Sequence, residues 1–192
     1  MAVTADDALQ LLTEGNARYT ADKCEHPNLS QSRRAETTGG QSPYAVVLAC
    51  ADSRVTPELI FDAGIGDLFV TTVAGNIASP EVTGTIEYAA LHLDTRLVVV
   101  MGHQSCGAVT AAVDGSPHGN SIDSLVNAMQ GTVAKAKDQA GDQVDNTIRQ
   151  NAHDVCADLI GRSPAMAELV EAGTLKIVPA YYALDTGAVS WL

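Results

Sequence analysis

Basic residues are scarce in this sequence. Eleven Lys and Arg stand against 23 Asp and Glu, a formal net charge of -12, and four of the bases are lysines (Lys23, Lys135, Lys137, Lys176). That balance argues against a nucleic-acid partner, whose binding rests on clustered Lys and Arg. Long apolar runs are missing too: no segment approaches the roughly 18 residues needed to cross a bilayer, so no membrane association is expected. The start, Met1-Ala2-Val3-Thr4-Ala5-Asp6-Asp7, has neither the basic leader nor the apolar stretch of a secretory signal. A soluble, cytoplasmic protein is the expectation. There is no internal repeat, linker or low-complexity segment. The pair Gly64 and Gly66 lacks the third glycine of a dinucleotide fingerprint, which argues against a nicotinamide site.

What is present is an ordinary globular composition, 46% apolar over 192 residues, enough for one domain with a sizeable core. Four cysteines in a chain expected to stay in a reducing compartment read as thiols rather than disulfides. Cys24 and Cys156, unlike Cys50 and Cys106, do not lie at an expected strand end beside ligand-type side chains and read as structural.

The pattern along the chain alternates strands and helices. Thr4 with Asp7 caps a helix running to Asp22, and a polar stretch with Pro27 leads as a loop or short helix to Pro43. Strands are expected at Tyr44 to Ala49, Asp67 to Val73, Arg96 to Met101 and Leu175 to Val178, with a last one at Ala188 to Trp191 forming an edge hairpin. Short runs apolar on both faces suit parallel strands covered by helices on each side. Helices are expected after Pro57, from Ser79-Pro80 to Ala90, from Gly107 to Val113, over Ser121 to Ala140 and Val144 to Ile160, and from Pro164 to Gly173. Ala74-Gly75-Asn76 reads as a turn. The whole predicts an α/β fold with a mainly parallel sheet flanked by helices. The single domain, 1–192, divides into an N-terminal helical arm (1–40) and an α/β core (44–192).

Two motifs concentrate the chemistry. Cys50-Ala51-Asp52-Ser53-Arg54 follows the first predicted strand, and His103-Gln104-Ser105-Cys106 follows the third. Ligands of open parallel sheets gather at the carboxyl ends of strands. If those two strands are neighbours, Cys50, Asp52, His103 and Cys106 converge as a set of zinc ligands, with a tight turn at Gly102 delivering the second pair. Cys106 also stands at a helix N-terminus, which favours thiolate. Either motif alone is weak; the two together, each at a strand end, are specific. Arg54, two residues past the carboxylate, gives the set a switch.

These residues resemble the β-class carbonic anhydrases. The likeness lies in the Cys50–Arg54 motif, in Gly66-Asp67-Leu68-Phe69-Val70, in Ala74-Gly75-Asn76 and in Gly102-His103-Gln104-Ser105-Cys106-Gly107. It continues through Lys176-Ile177-Val178, Tyr181-Tyr182 and Asp185-Thr186-Gly187, and so covers nearly the whole chain. The resemblance implies reversible hydration of carbon dioxide to bicarbonate by zinc-bound hydroxide, with one Zn2+ per subunit. Cys50, His103 and Cys106 would be the permanent ligands, and Asp52 and Arg54 the family's aspartate–arginine pair. Asp52 can leave Arg54 to become a fourth ligand in an inactive form. A homodimer or homotetramer is implied.

Two thiolates and one neutral imidazole leave the zinc formally neutral, which acidifies a bound water less than three histidines would. An orienting carboxylate is therefore of use. A carbonyl sulfide or carbon disulfide hydrolase on the same scaffold is the closest rival reading, and a non-catalytic zinc-binding scaffold subunit the next. Some family members hold a second, noncatalytic bicarbonate site on an arginine and a tryptophan. Thr72 and Val47 stand at those positions, so the resemblance does not extend to that site. Pro179 replaces a usual glycine and is expected to stiffen the last strand. Ser53, Gly107 and Asn76 read as turn or packing residues, and His26, His92, His118 and His153 lie outside the motifs.

Overall fold

The computed structural model describes residues 3–192. Its centre is a five-stranded sheet in the order β2-β1-β3-β4-β5. The strands are β1 (Ala45–Ala49), β2 (Leu68–Thr72), β3 (Leu97–His103), β4 (Lys176–Tyr182) and β5 (Val189–Trp191). The first four are parallel, and β5 returns antiparallel along the end of β4. Every residue of β1 and β3 is buried, as the unbroken apolar runs require of strands covered on both faces.

Alternate residues of these strands feed two cores. Val46, Leu48, Val98 and Val100 pack beneath helices α4 (Pro80–His92), α8 (Gln143–Arg162) and α9 (Pro164–Glu171). Ala45, Val47, Ala49, Val99 and Met101 face α1 (Ala5–Thr20) and the short α3 (Pro57–Ile60). Each fully buried Val or Leu contributes about 1.5–3 kcal/mol, so the pair β1–β3 contributes heavily to the burial that holds the fold together. The remaining helices are α2 (Gln31–Thr37), α5 (Gly107–Asp114), α6 (Ile122–Ala128) and α7 (Gln130–Ala136).

Local chemistry fixes the helix starts. Thr4, Ser79, Asp142 and Ser163 each accept a hydrogen bond from an amide of the first turn of α1, α4, α8 and α9. Pro80 and Pro164 add pre-set φ at the first helical position. The segment expected to lead to the first strand as a loop or short helix contains α2, capped by Ser30.

Three expectations need correction. The stretch Ser121 to Ala140 is two helices rather than one, broken at Met129, whose side chain is fully buried. Strand β3 runs on through Gly102 to His103, paired with Tyr181 and Tyr182, so Gly102 is no turn. It is a glycine because α8 comes close: a Cβ there would lie 2.9 Å from Ile148 Cγ2 and 3.2 Å from its carbonyl oxygen. Pro179 lies in β4, not the last strand. Its carbonyl accepts from Leu192 N–H, on the side away from β3, so the missing donor of proline interrupts no bond to β3.

The first helix is bound closely to the rest of the chain. Asn16, buried in α1, donates from Nδ2 to the carbonyls of Ile60 and Gly187 (3.1 and 2.8 Å) and accepts from Val189 N–H at 2.8 Å. Beside it, Arg18 donates to Asp62 at 2.6 Å.

Candidate metal centre

β1 and β3 are hydrogen-bonded neighbours, with Ala49 opposite Met101, so the two motifs leave the same edge of the sheet. Cys50 is the first residue beyond β1 and His103 the last of β3; Cys106 caps α5. Between them Ser105 takes a left-handed backbone (φ 56°), the reversal that the sequence reading had assigned to Gly102. One ligand atom each from Cys50, His103 and Cys106 lies within 4.8 Å of the others, and all three residues are buried. The two sulfurs are 3.9 Å apart.

His103 is fully buried and oriented by its own neighbour. Its Nδ1 lies 2.9 Å from the Gln104 carbonyl oxygen, which can only accept, so Nδ1 carries the proton. That leaves Nε2 with a free lone pair, and Nε2 has no hydrogen-bond partner among the described residues. A buried unpaired nitrogen is costly unless something fills its lone pair. Two sulfurs and this nitrogen are a donor set suited to zinc, so the residues fit the ion.

Asp52 stands beside that set but is bonded elsewhere. Arg54 donates to it three times: from its backbone N–H and Nε to Oδ1 (3.0 and 2.9 Å), and from Nη2 to Oδ2 (2.8 Å). Asp52 Oδ2 is 3.8 Å from His103 Nε2. The Asp52 side chain is 17% exposed and that of Arg54 55%, so the pair forms the boundary between the buried donors and solvent.

The electrostatics follow from these contacts. The Arg54 side chain, helped by its backbone N–H, holds the Asp52 carboxyl well below the usual carboxylate range. The two thiols act on each other in opposite directions: the bond from Cys106 pushes Cys50 down, and the bond to Cys50 together with burial pushes Cys106 up. Amides of Ala108 and Val109 at the start of α5 pull Cys106 back toward thiolate.

Three supporting residues escaped the sequence reading. Gly75, taken there as part of a turn, donates its N–H to Cys50 Sγ at 3.4 Å. Asn151 of α8 donates to the Gly75 carbonyl at 2.9 Å. Gln104 was given no role within its motif, yet its carbonyl orients His103, its N–H bonds the Tyr182 carbonyl at 2.9 Å, and its Oε1 accepts from Asp185 N–H. Of the three, Gly75 had a local signal, the Ala-Gly-Asn turn. Cys156 is buried in the core far from these motifs in sequence, its thiol pushed up by burial to about 12, and Cys24 is half-buried. A cavity of about 780 Å³ lined by Asp6, Arg96 and Lys176 lies at the opposite, amino-terminal end of the sheet.

A buried Cys2His donor set at the carboxyl end of a parallel sheet, with a tethered carboxylate at its rim, defines a zinc enzyme of the open-coordination kind. The chain belongs to the β-class carbonic anhydrase family: the family model described as Carbonic anhydrase matches residues 45–189. It is similar to Carbonic anhydrase 2 of Mycobacterium tuberculosis, 41% identical over 184 residues, which cover 94% of this chain and 89% of that protein. A carbonic anhydrase of Mycolicibacterium smegmatis is 38% identical over 186 residues, 95% and 90% of the two chains. Among solved structures, the Coccomyxa β-carbonic anhydrase in complex with acetazolamide superposes with a TM-score of 0.74 at 26% identity, covering 96% of this chain and 86% of that one. A tetrameric β-carbonic anhydrase of Sordaria macrospora shares the fold (TM-score 0.75, 23% identity, 92% and 90% covered). The protein is thus a zinc-dependent lyase that hydrates carbon dioxide. These relatives favour neither the sulfur-analogue hydrolase nor the scaffold subunit considered from sequence.

Proposed function

We propose that Cys50, His103 and Cys106 hold one zinc ion per subunit and that Asp52, tethered by Arg54, aligns the attacking water for carbon dioxide, giving bicarbonate. The observation behind this assignment is the division of labour among four ligand-type residues. Three converge, with His103 Nε2 unpaired among the described residues and the two sulfurs turned toward each other, while the carboxylate is committed to an arginine. Zinc, when bound, supplies Lewis acidity that makes water a nucleophile near neutral pH.

The chain's own groups do the rest. Asp52, ionised and acceptor-only, takes a hydrogen bond from the attacking oxygen and leaves its lone pair directed at the carbon. Arg54 keeps that carboxylate in place and away from the donor set. Gln104 keeps the His103 ring in the tautomer that presents Nε2. The product proton leaves through the solvent-facing side, where Arg54 is exposed.

Stopped-flow hydration assays with metal analysis test the assignment. Wild type is expected to carry about one zinc per chain. Cys106→Ser should lose the metal, and Asp52→Asn should keep the metal but lose turnover. A zinc-loaded wild type no faster than buffer would overturn the reading.

The assembly is a homodimer or tetramer in this proposal, in a cytoplasmic setting. Both β2 and β5 end the sheet within one chain, and Tyr88 and Leu91 of α4 are about half exposed. The Sordaria relative is described as tetrameric. Light scattering after size exclusion would measure the state directly; a monomer at micromolar concentration would refute it. Among the described residues no helix is long and apolar enough to cross a membrane.

A further inference from the structure

Gly75 is gripped from both sides. Its N–H reaches Cys50 Sγ at 3.4 Å and its carbonyl accepts from Asn151 Nδ2 at 2.9 Å. Its backbone is left-handed (φ 73°, ψ 14°), and a Cβ there would lie 2.9 Å from Met129 Sδ, so the residue can neither be enlarged nor easily turned. Asn151 is 2% exposed, on the interior of a 20-residue helix that packs on the sheet. An amide buried in such a helix interior is unusual, since burial without a partner is penalised and the helix itself does not need it. Here its donor is spent on one carbonyl, 76 residues away in sequence, belonging to the residue that bonds a metal-site sulfur.

We infer that Asn151 is a positioning residue for the zinc site: it holds Gly75 so that the Gly75 N–H stays on the Cys50 sulfur and tunes its bond to the metal. The inference rests on the reading that Cys50 is a zinc ligand. Hydrogen bonds to a ligating thiolate withdraw charge from sulfur, and partners of this kind fix ligand orientation and metal retention. Without the Asn151 donor the Gly75 carbonyl is left buried and unpaired, and the turn rotates to satisfy it. The N–H then leaves the sulfur. The relay runs from α8 through one glycine to the metal, with no contact between Asn151 and any ligand among the hydrogen bonds of the described residues.

The test compares Asn151→Ala with wild type and with Thr147→Ala, a buried neighbour whose hydroxyl bonds within its own helix. Two readouts are taken: the rate of zinc transfer to a chelator, and the sulfur-to-metal charge-transfer absorption of the cobalt-substituted protein. Asn151→Ala is expected to release zinc about tenfold faster or more and to shift the cobalt–sulfur band, while Thr147→Ala leaves both in place. A folded Asn151→Ala with unchanged zinc release and an unchanged band overturns the inference. Cobalt-loaded wild type with no sulfur band at all overturns the ligand reading, and this inference with it. If Asn151→Ala does not fold, wild type loaded with an NMR-active cadmium isotope decides. Coupling between cadmium and the Gly75 amide proton supports the relay, and its absence refutes it.

Discussion

Arg54 binds Asp52 through its guanidinium and its own backbone amide at once, so the carboxylate is fixed at both oxygens by a residue two positions away. Replacing the side chain removes two of the three bonds. In Arg54→Ala the carboxylate is held by one amide and is free to turn toward His103 Nε2, 3.8 Å away. Turnover is expected to fall about a hundredfold with zinc content unchanged, because the change moves a supporting partner and no ligand. Hydration kinetics paired with metal analysis on one preparation check this; a parallel loss of zinc would show that Arg54 acts on the cradle itself.

Gly102 and Ile148 set a second expectation. Gly102→Ala places a methyl against both the side chain and the carbonyl of Ile148, which is fully buried. Overpacking of this kind costs about 1–3 kcal/mol. Thermal unfolding of the metal-free protein should show the loss. Adding Ile148→Ala relieves the side-chain clash but not the one with the carbonyl, so the cycle should be non-additive if the contact is the cause.

Asn16 ties α1 to Ile60 and to the β4–β5 hairpin with three hydrogen bonds. Asn16→Ala leaves two carbonyls and the Val189 amide without it. The expected destabilisation is about 2–4 kcal/mol, read as a lower urea midpoint with an unchanged slope. A midpoint within experimental error of wild type would mean that water replaces the amide.

Asp62 gives the pH dependence. Burial pushes its carboxyl up, but the Arg18 guanidinium and the amides of Glu25 and His26 more than offset this, and its folded-state pKa lies below the ordinary value. A group depressed in the folded state stabilises the protein above its unfolded pKa of about 3.9 and loses that contribution as pH falls through the folded pKa. Metal-free protein should therefore weaken on acidification below about pH 4, and Asp62→Asn should flatten that limb. Unfolding free energies measured between neutral and acid pH in both proteins provide the comparison.

Much of the centre was legible because it follows from burial. Val46 to Ala49 and Val98 to Met101 are apolar on both faces, which marks interior parallel strands, and the first polar residues after them fall where such sheets place ligands. The end of β3 was misread because Gly102 and His103 look like turn residues; the glycine answers to Ile148, 46 positions on, which no local pattern encodes. The break at Met129 is similar in origin, since its side chain is drawn in against the Gly75 turn. Asn151 and Gln104 could not be picked out at all. Each of their hydrogen bonds has a backbone atom at one end, and backbone atoms leave no signature in sequence.

Cys50 and His103 are tethered to two strands whose every residue is buried, and Cys106 to the helix that begins at the next residue, Gly107. The donors are thus gathered by the folding of the sheet rather than by the ion. In small zinc modules the metal is a condition of folding; here it is expected to be a guest in a finished frame. Stripping and reloading should then be a matter of access and exchange, and the lifetime of the ion becomes a property that single side chains around the frame can set without disturbing the architecture.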